Sequence, residues 1–327
     1  MIDFRYHLVS LVSVFMALAI GVVLGAGPLK ESIGDTLSNQ VDGLVRDKTA
    51  LQQAVSNRDQ QIGNRDTFVT SVSGPLVAGQ LGGRSVVLVT LPGTAKDDVD
   101  AVAEVLKAGG AELTGQVALR DRWFDPAQKE FRRTLAASQL QYVDPKPPAS
   151  AGSEGELAAV LSRAILTNDI AKAGEQDAQA ETILGALTGG DLVSVQGKPQ
   201  QRATAAVVLA PLPDKAPGAG DQAWSDATSS SVTALLPALD AAGTGTVLAG
   251  PLDSATGDGL LVSVRGNKDV ANDVSTVDSS NTPMGRITIV LALREQLAGE
   301  SGQYGFGQDV TAPTPTPVQA QAAGSGG

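Results

Sequence analysis

The chain has 327 residues, only 11 of them Phe, Trp or Tyr, and a net charge of −11. That acidic balance excludes a nucleic-acid binder, because neutralising phosphates requires clustered Lys and Arg. Cysteine is absent, which excludes disulfides, zinc–thiolate sites, thiol catalysis and lipidation at Cys.

The first element is a membrane span. Leu8 to Gly27 runs twenty residues without a charge, enough for a helix to cross the roughly 30 Å bilayer core. Leu8, Phe15, Ile20 and Leu24 mark it. Gly25-Ala26-Gly27 offers small residues for signal cleavage, the alternative reading. The apolar run exceeds the usual ~7–15 residues of a signal h-region, so an uncleaved anchor over 1–28 is expected. Arg5 and the α-amino group precede the span, partly offset by Asp3, and Lys30 with Glu31 and Asp35 follow it. The positive-inside bias then directs the N-terminus into the cytoplasm and leaves the bulk of a single-pass protein outside it.

A heptad pattern follows, giving a stalk over 29–78. Its a and d positions are Val41, Leu44, Lys48, Leu51, Val55, Arg58, Ile62, Arg65, Val69, Val72 and Leu76, and eight of these eleven are apolar. A two-in-seven seam is narrower than the buried face of an ordinary globular helix and fits a coiled coil. Asn57-Arg58-Asp59 recurs as Asn64-Arg65-Asp66, with Arg at d and Asp at e both times. In a parallel homodimer each Arg can meet an Asp of the partner, which restricts register at a cost in stability. The alternative is an amphipathic helix folded back on its own domain, its Arg stems snorkelling outwards. From Pro28 to Leu76 such a rod spans on the order of 70 Å.

Gly74-Pro75 and Gly79 to Gly83 are expected to end the helix. From 79 to 306 the pattern is that of an extracytoplasmic α/β domain with a mainly parallel sheet. Ser85 to Leu91 reads as a buried strand, Asp97 to Ala108 as a helix and Leu113 to Leu119 as a second strand, a strand–helix–strand unit. Arg120 to Pro126 is a polar loop carrying Trp123 and Phe124; it is either packed at the domain edge or a partner surface. Helices are expected over 126–140, 156–166, 178–187, 229–242 and 283–298. Strands are expected over 192–196, 205–209, 246–249 and 260–264. Residues 307–327, with Thr311-Ala-Pro-Thr-Pro-Thr-Pro317, form a disordered tail.

The enzyme templates fail. His7 is the sole histidine, so neither a Ser-His-Asp triad nor a His-based metal site can be built in the domain. No GxxxxGK[ST] or GxGxxG follows a strong strand. Asp97, Asp98 and Asp100 open a helix, where carboxylates offset the dipole and cap free N–H groups. No catalytic, cofactor-binding or metal residue is proposed, and the chain is read as non-enzymatic.

Both ends carry a family resemblance. Met1-Ile-Asp-Phe-Arg-Tyr-His-Leu-Val-Ser10 leads into the span, and the C-terminal block runs from Thr282-Pro283-Met284-Gly285-Arg286 to Leu297, with Gly302-Gln303-Tyr304-Gly305 beyond it. With the helix after the span, these resemble the actinobacterial copper-transporter family, that of the mycobacterial copper transport protein B, over nearly the whole chain. The resemblance implies copper efflux or tolerance at the cell envelope, described as an outer-membrane pore, and copper enters only by it. For corynebacterial relatives it implies instead a membrane-anchored scaffold regulating peptidoglycan hydrolysis or septation through an envelope or cell-division partner protein. Two observations stand apart from the pore. A membrane barrel wants many alternating strands of about ten residues with aromatic girdles, and Met1, Met16 and Met284 are too few and too scattered for a copper(I) relay.

Overall fold

The computed structural model describes residues 4–26 and 28–316, with the side chains of 26–36 left aside. Gly27 and residues 317–327 lie outside the described residues, and with them the last residue of the expected span and most of the expected tail. The chain divides into two units, Met1–Arg65 and Asp66–Gly327.

The first unit holds helix α1, Phe4–Ala26, and most of helix α2, Pro28–Val77. Phe4–Gly25 is long and apolar enough to cross a membrane, and within it the Ser13 hydroxyl bonds back to the Val9 carbonyl at 2.9 Å. Closing polar groups on the helix itself suits a segment bathed in hydrocarbon.

The second unit takes in the last turns of α2. Val77 is buried and Val69 packs against the same core, so the globular unit begins well before the expected boundary at 79. Helix α2 also runs through Gly74-Pro75, which does not break it. Proline removes one ladder bond, to the residue four before it, and the ladder resumes with Ala78 N–H donating to Gly74 O at 3.0 Å. The stop comes at Gly79, whose φ of +74° is left-handed.

The remaining elements are β1 (Ser85–Thr90), α3 (Lys96–Ala108), β2 (Glu112–Leu119), α4 (Asp121–Phe124), α5 (Lys129–Gln139), α6 (Gly152–Ile165), α7 (Ala178–Gly189), β3 (Val193–Gly197) and β4 (Ala205–Leu209). They continue with α8 (Gln222–Ala242), β5 (Thr246–Ala249), α9 (Leu260–Gly266), α10 (Lys268–Ala271), β6 (Ser275–Val277), α11 (Pro283–Gln296) and β7 (Gln303–Tyr304). The seven strands form one sheet in the order β3-β2-β1-β4-β5-β6-β7, parallel except for β3. This is the mixed α/β architecture expected.

Strand β1 shows why. All six of its residues are buried, as required of a strand covered on both faces. Val87 and Val89 join the core with α6, α7 and α8, while Val86 and Leu88 join the core with α3 and α11. Strand β4 alternates between the same two cores. The sheet is open, with β3 and β7 at its edges, so it does not close into the barrel that an outer-membrane pore would need.

Two expectations are corrected here. Leu260 to Val264 is the start of helix α9, not a strand. Its apolar run is ambiguous by periodicity alone, and the buried set Leu261, Val264 and Arg265 has helical spacing. Residues 307–316 are ordered against β7: Thr311 N–H donates to Gln303 O at 2.7 Å, and Ala312 bridges Tyr304. Sheet pairing overrides the proline-rich composition there.

Candidate functional site

The sheet places a crevice by topology. Strand order reverses beside β1, with β2 on one side and β4 on the other, and open α/β sheets bind ligands outside the carboxyl ends at such a point. Here the loops after β1 and β4 meet. A Cβ on Gly93 (φ +85°) would sit 2.0 Å from the Lys215 carbonyl oxygen, so only glycine lets the two backbones touch.

That contact leaves a cleft on either side. One, of about 470 Å³, is polar and draws on Thr90, Lys96, Gln116, Arg120, Asp121 and Asp191. Its cations are committed to the protein. Lys96 pairs with Asp100, Arg120 lies 3.6 Å from Asp191, and Arg122 donates to Gln128 and to the Gly190 carbonyl. The hydrogen bond to Asp100 raises the basicity of Lys96, away from a neutral nucleophile. The other cleft, of about 200 Å³, is walled by Pro92, Phe124, Pro211, Pro213, Gly218 and Leu260. Neither brings together a nucleophile, a base and an orienting group, the arrangement catalysis would require.

Trp123 and Phe124 are 1% and 0% exposed, which corrects the partner-surface reading. Helix α4 turns both rings into the core beneath the cleft, because few other large side chains are available to fill it. Arg122, between Asp121 and the rings, stacks over Phe131 at 3.9 Å from its centroid. The aspartates of α3 also differ from expectation. Ala95 is the N-cap and makes no side-chain cap bond, while Asp98 reaches Arg286 at 3.5 Å. They complement the dipole without capping it.

The stalk residues behave differently. Val41, Leu44, Leu51, Val55, Ile62 and Val72 are all exposed along α2, Leu44 at 69% and Leu51 at 67%. Leu37, at the d position four residues before Val41, is exposed as well and extends the seam. Arg58 and Arg65 are exposed too; Arg65 donates to the Gln61 carbonyl at 3.4 Å. Neither makes an intrachain ion pair among the described residues. Val69 is the exception within the seam, being half-covered by its own domain. Leu8, Phe15, Ile20 and Leu24 of α1 are exposed in the same way.

Sequence reasoning missed the buried polar cluster at the far edge of the sheet. Arg265, on a helix taken for a strand, meets Asp278 beside β6 and β7, strands of three and two residues. Elements so short carry no period. The one available signal was an Arg at the end of an apolar run.

Copper donors are sparse. The chain has no Cys, one His and three Met; His7 and Met16 lie in α1, and Met284 opens α11. Among the described residues no group of three His, Cys, Asp or Glu gathers to hold a metal. The soft sulfur set that copper(I) prefers cannot be assembled from these residues.

Comparison with known proteins gives one consistent result. The model of a family described as "Copper transport outer membrane protein, MctB" matches residues 1–315. Proteins named copper transporter MctB from Mycobacterium bovis and Mycobacterium tuberculosis are 31% identical over 327 residues, covering 96% of this chain and 99% of theirs. The Mycobacterium leprae protein of the same name is 32% identical over 323 residues, with the same coverage.

Proposed function

The chain belongs to the MctB family of copper transport outer membrane proteins, and from that membership we propose that it serves copper transport as a non-enzymatic, membrane-anchored protein of the cell envelope. The observation that carries this is the family match over residues 1–315, which takes in the apolar helix, the stalk and the whole sheet domain. The comparisons favour copper transport over the peptidoglycan-hydrolysis scaffold. Copper is the cargo. With no soft ligand set of its own, the chain contributes anchoring and assembly to that transport, and the metal is handled by other components.

The finer reading concerns topology and assembly. Helix α1 is an uncleaved single-pass anchor with its N-terminus in the cytoplasm, and the sheet domain is extracytoplasmic. The exposed seam of α2 is covered by a second copy. Burying one Leu is worth about 1.5–3 kcal/mol, so a row of exposed Leu, Val and Ile favours a partner helix of matching period. A second copy anchored in the same membrane offers that seam in parallel, and the Asp59 and Asp66 carboxylates offset the partner's Arg58 and Arg65 charges.

A mycobacterial host lacking its own family member tests the function. Expressing the full chain under copper load is expected to lower cell-associated copper, and the Leu44→Asp/Leu51→Asp variant to lose that effect. Unchanged copper content with the full chain present in the membrane would overturn the proposal.

A further inference from the structure

A third cavity lies away from the crevice, along the seam between α6 and α8, and measures about 670 Å³. That is within the range of small-molecule sites, roughly 300–1,000 Å³. Its walls include Ala159, Leu166, Ala234, Pro237, Ala238 and Ala241. Alanines on facing helices leave the groove apolar and unfilled. Its mouth is charged, with Lys146, Arg163, Lys172 and Arg202 against Asp144 and Asp169.

The two guanidiniums are incompletely matched. Arg163 Nη1 donates to Asp177 Oδ2 at 3.1 Å and Arg163 Nη2 to Gln179 Oε1 at 2.9 Å, while Arg202 Nη2 lies 3.1 Å from the same Asp177 oxygen. Asp177 Oδ1 is already occupied, accepting the Gln179 and Ala180 N–H groups at the start of α7. Lys172 is balanced by Asp169 at 3.2 Å. One carboxylate therefore serves two guanidiniums and a positive helix end. Arg202 Nε is enclosed and has no hydrogen-bond partner, although its side chain is only 13% exposed. Burial and the Arg163 charge lower the basicity of Arg202, against the opposing pull of Asp177, Asp169 and Glu175.

The backbone tells the same story. Arg202 has φ +42°, a left-handed value that a non-glycine residue adopts rarely. Strain of this kind persists where the surroundings hold it, and it gathers at ligand clamps. Glycine would relieve it, but only arginine carries the guanidinium to the mouth of the groove.

We propose that this groove binds a lipid with one phosphate head and one alkyl chain. The head bridges Arg163 and Arg202, and the chain lies along the alanines of α6 and α8. A phosphate accepts from both forks at once. The alkyl chain covers the apolar wall of alanines. In a protein of net charge −11, an anion needs a basic lining, and in this groove Lys146, Arg163, Lys172 and Arg202 outnumber Asp144 and Asp169.

The full chain in phosphatidylcholine nanodiscs, titrated calorimetrically with decyl phosphate below its micellar concentration, tests this against empty discs. Saturation at one decyl phosphate per chain is expected, with decanol and inorganic phosphate each at least tenfold weaker. Arg202→Gly is expected to weaken binding at least tenfold while keeping the melting temperature level or raising it, since the strained φ is relieved. Ala241→Trp fills the groove from an exposed position without touching charge, and is also expected to weaken binding at least tenfold. Heat no different from empty discs, or an affinity unmoved by both variants, would overturn the proposal. Inorganic phosphate binding as tightly as decyl phosphate would overturn it too, marking a plain anion site.

Discussion

Arg265 and Asp278 form a fully buried ion pair, with Nη1 and Nη2 each 3.2 Å from Oδ2 and both side chains 0% exposed. The pair fastens the C-terminal segment. Arg265 donates to the carbonyls of Tyr304 and Gln308, at 2.9 and 2.8 Å, and to Thr276 Oγ1 at 2.7 Å. Asp278 accepts the N–H groups of Phe306 and Gly307. Arg265→Met leaves a buried carboxylate without its cation, and such a change costs about 3–5 kcal/mol. Urea unfolding is expected to report that loss, with faster proteolysis after Phe306. A loss under about 1 kcal/mol, the value of a surface pair, would show that the cluster is incidental.

Asp240 gives the domain a pH signature. Burial, and then the Asp273 charge, push its carboxyl from the ordinary 3.8 up to about 6. An acid whose folded pKa is raised binds its proton more readily when folded, so its charging opposes folding as pH rises from about 4 to about 6. Below that window it carries no penalty, and above it the penalty is complete. Asp240→Asn is expected to raise the melting temperature at pH 7.5 and to leave it unchanged at pH 3.5. Equal shifts at both values would count against the titration.

The stalk prediction concerns register. Arg58 and Arg65 crowd an apolar seam, so Arg58→Leu/Arg65→Leu is expected to melt higher and also to admit trimers or slipped pairs. Sedimentation of the full chain in detergent, paired with Leu51→Cys cross-linking in membranes, distinguishes these states. Leu51→Cys should cross-link to itself if two stalks run side by side in register. A chain that stays monomeric and never cross-links would end the dimer reading.

Copper affinity is expected to be weak. The sheet unit offers Met284 and no Cys or His, and copper(I) favours sulfur and imidazole. Titrating the full chain with copper(I) against a competing chelator is expected to give no stoichiometric binding tighter than micromolar. A tight one-to-one complex would assign the chain a direct ligand role.

What the sequence determined by itself were the features written in long, regular patterns. Twenty uncharged residues make a membrane-length helix in any context, because hydrocarbon demands that the backbone bond to itself. Ser85 to Leu91 is apolar without interruption, and a strand buried on both faces is the structure that satisfies it. The heptads of α2 were equally plain, as was the lack of copper donors. The tertiary structure decided whatever depended on neighbours. Trp123 and Phe124, in a polar loop, leave domain-edge packing and a partner surface both open until helix α4 turns them into the core. Leu260 to Val264 has a strand's composition, yet its burial follows helical spacing. Val69 reads as one more seam residue, but its own domain half-covers it. Strands β6 and β7 are too short to carry a period, and Asp278 finds Arg265 only after the chain has folded between them. Local periodicity fixes which face an element must bury; it does not name what will cover that face.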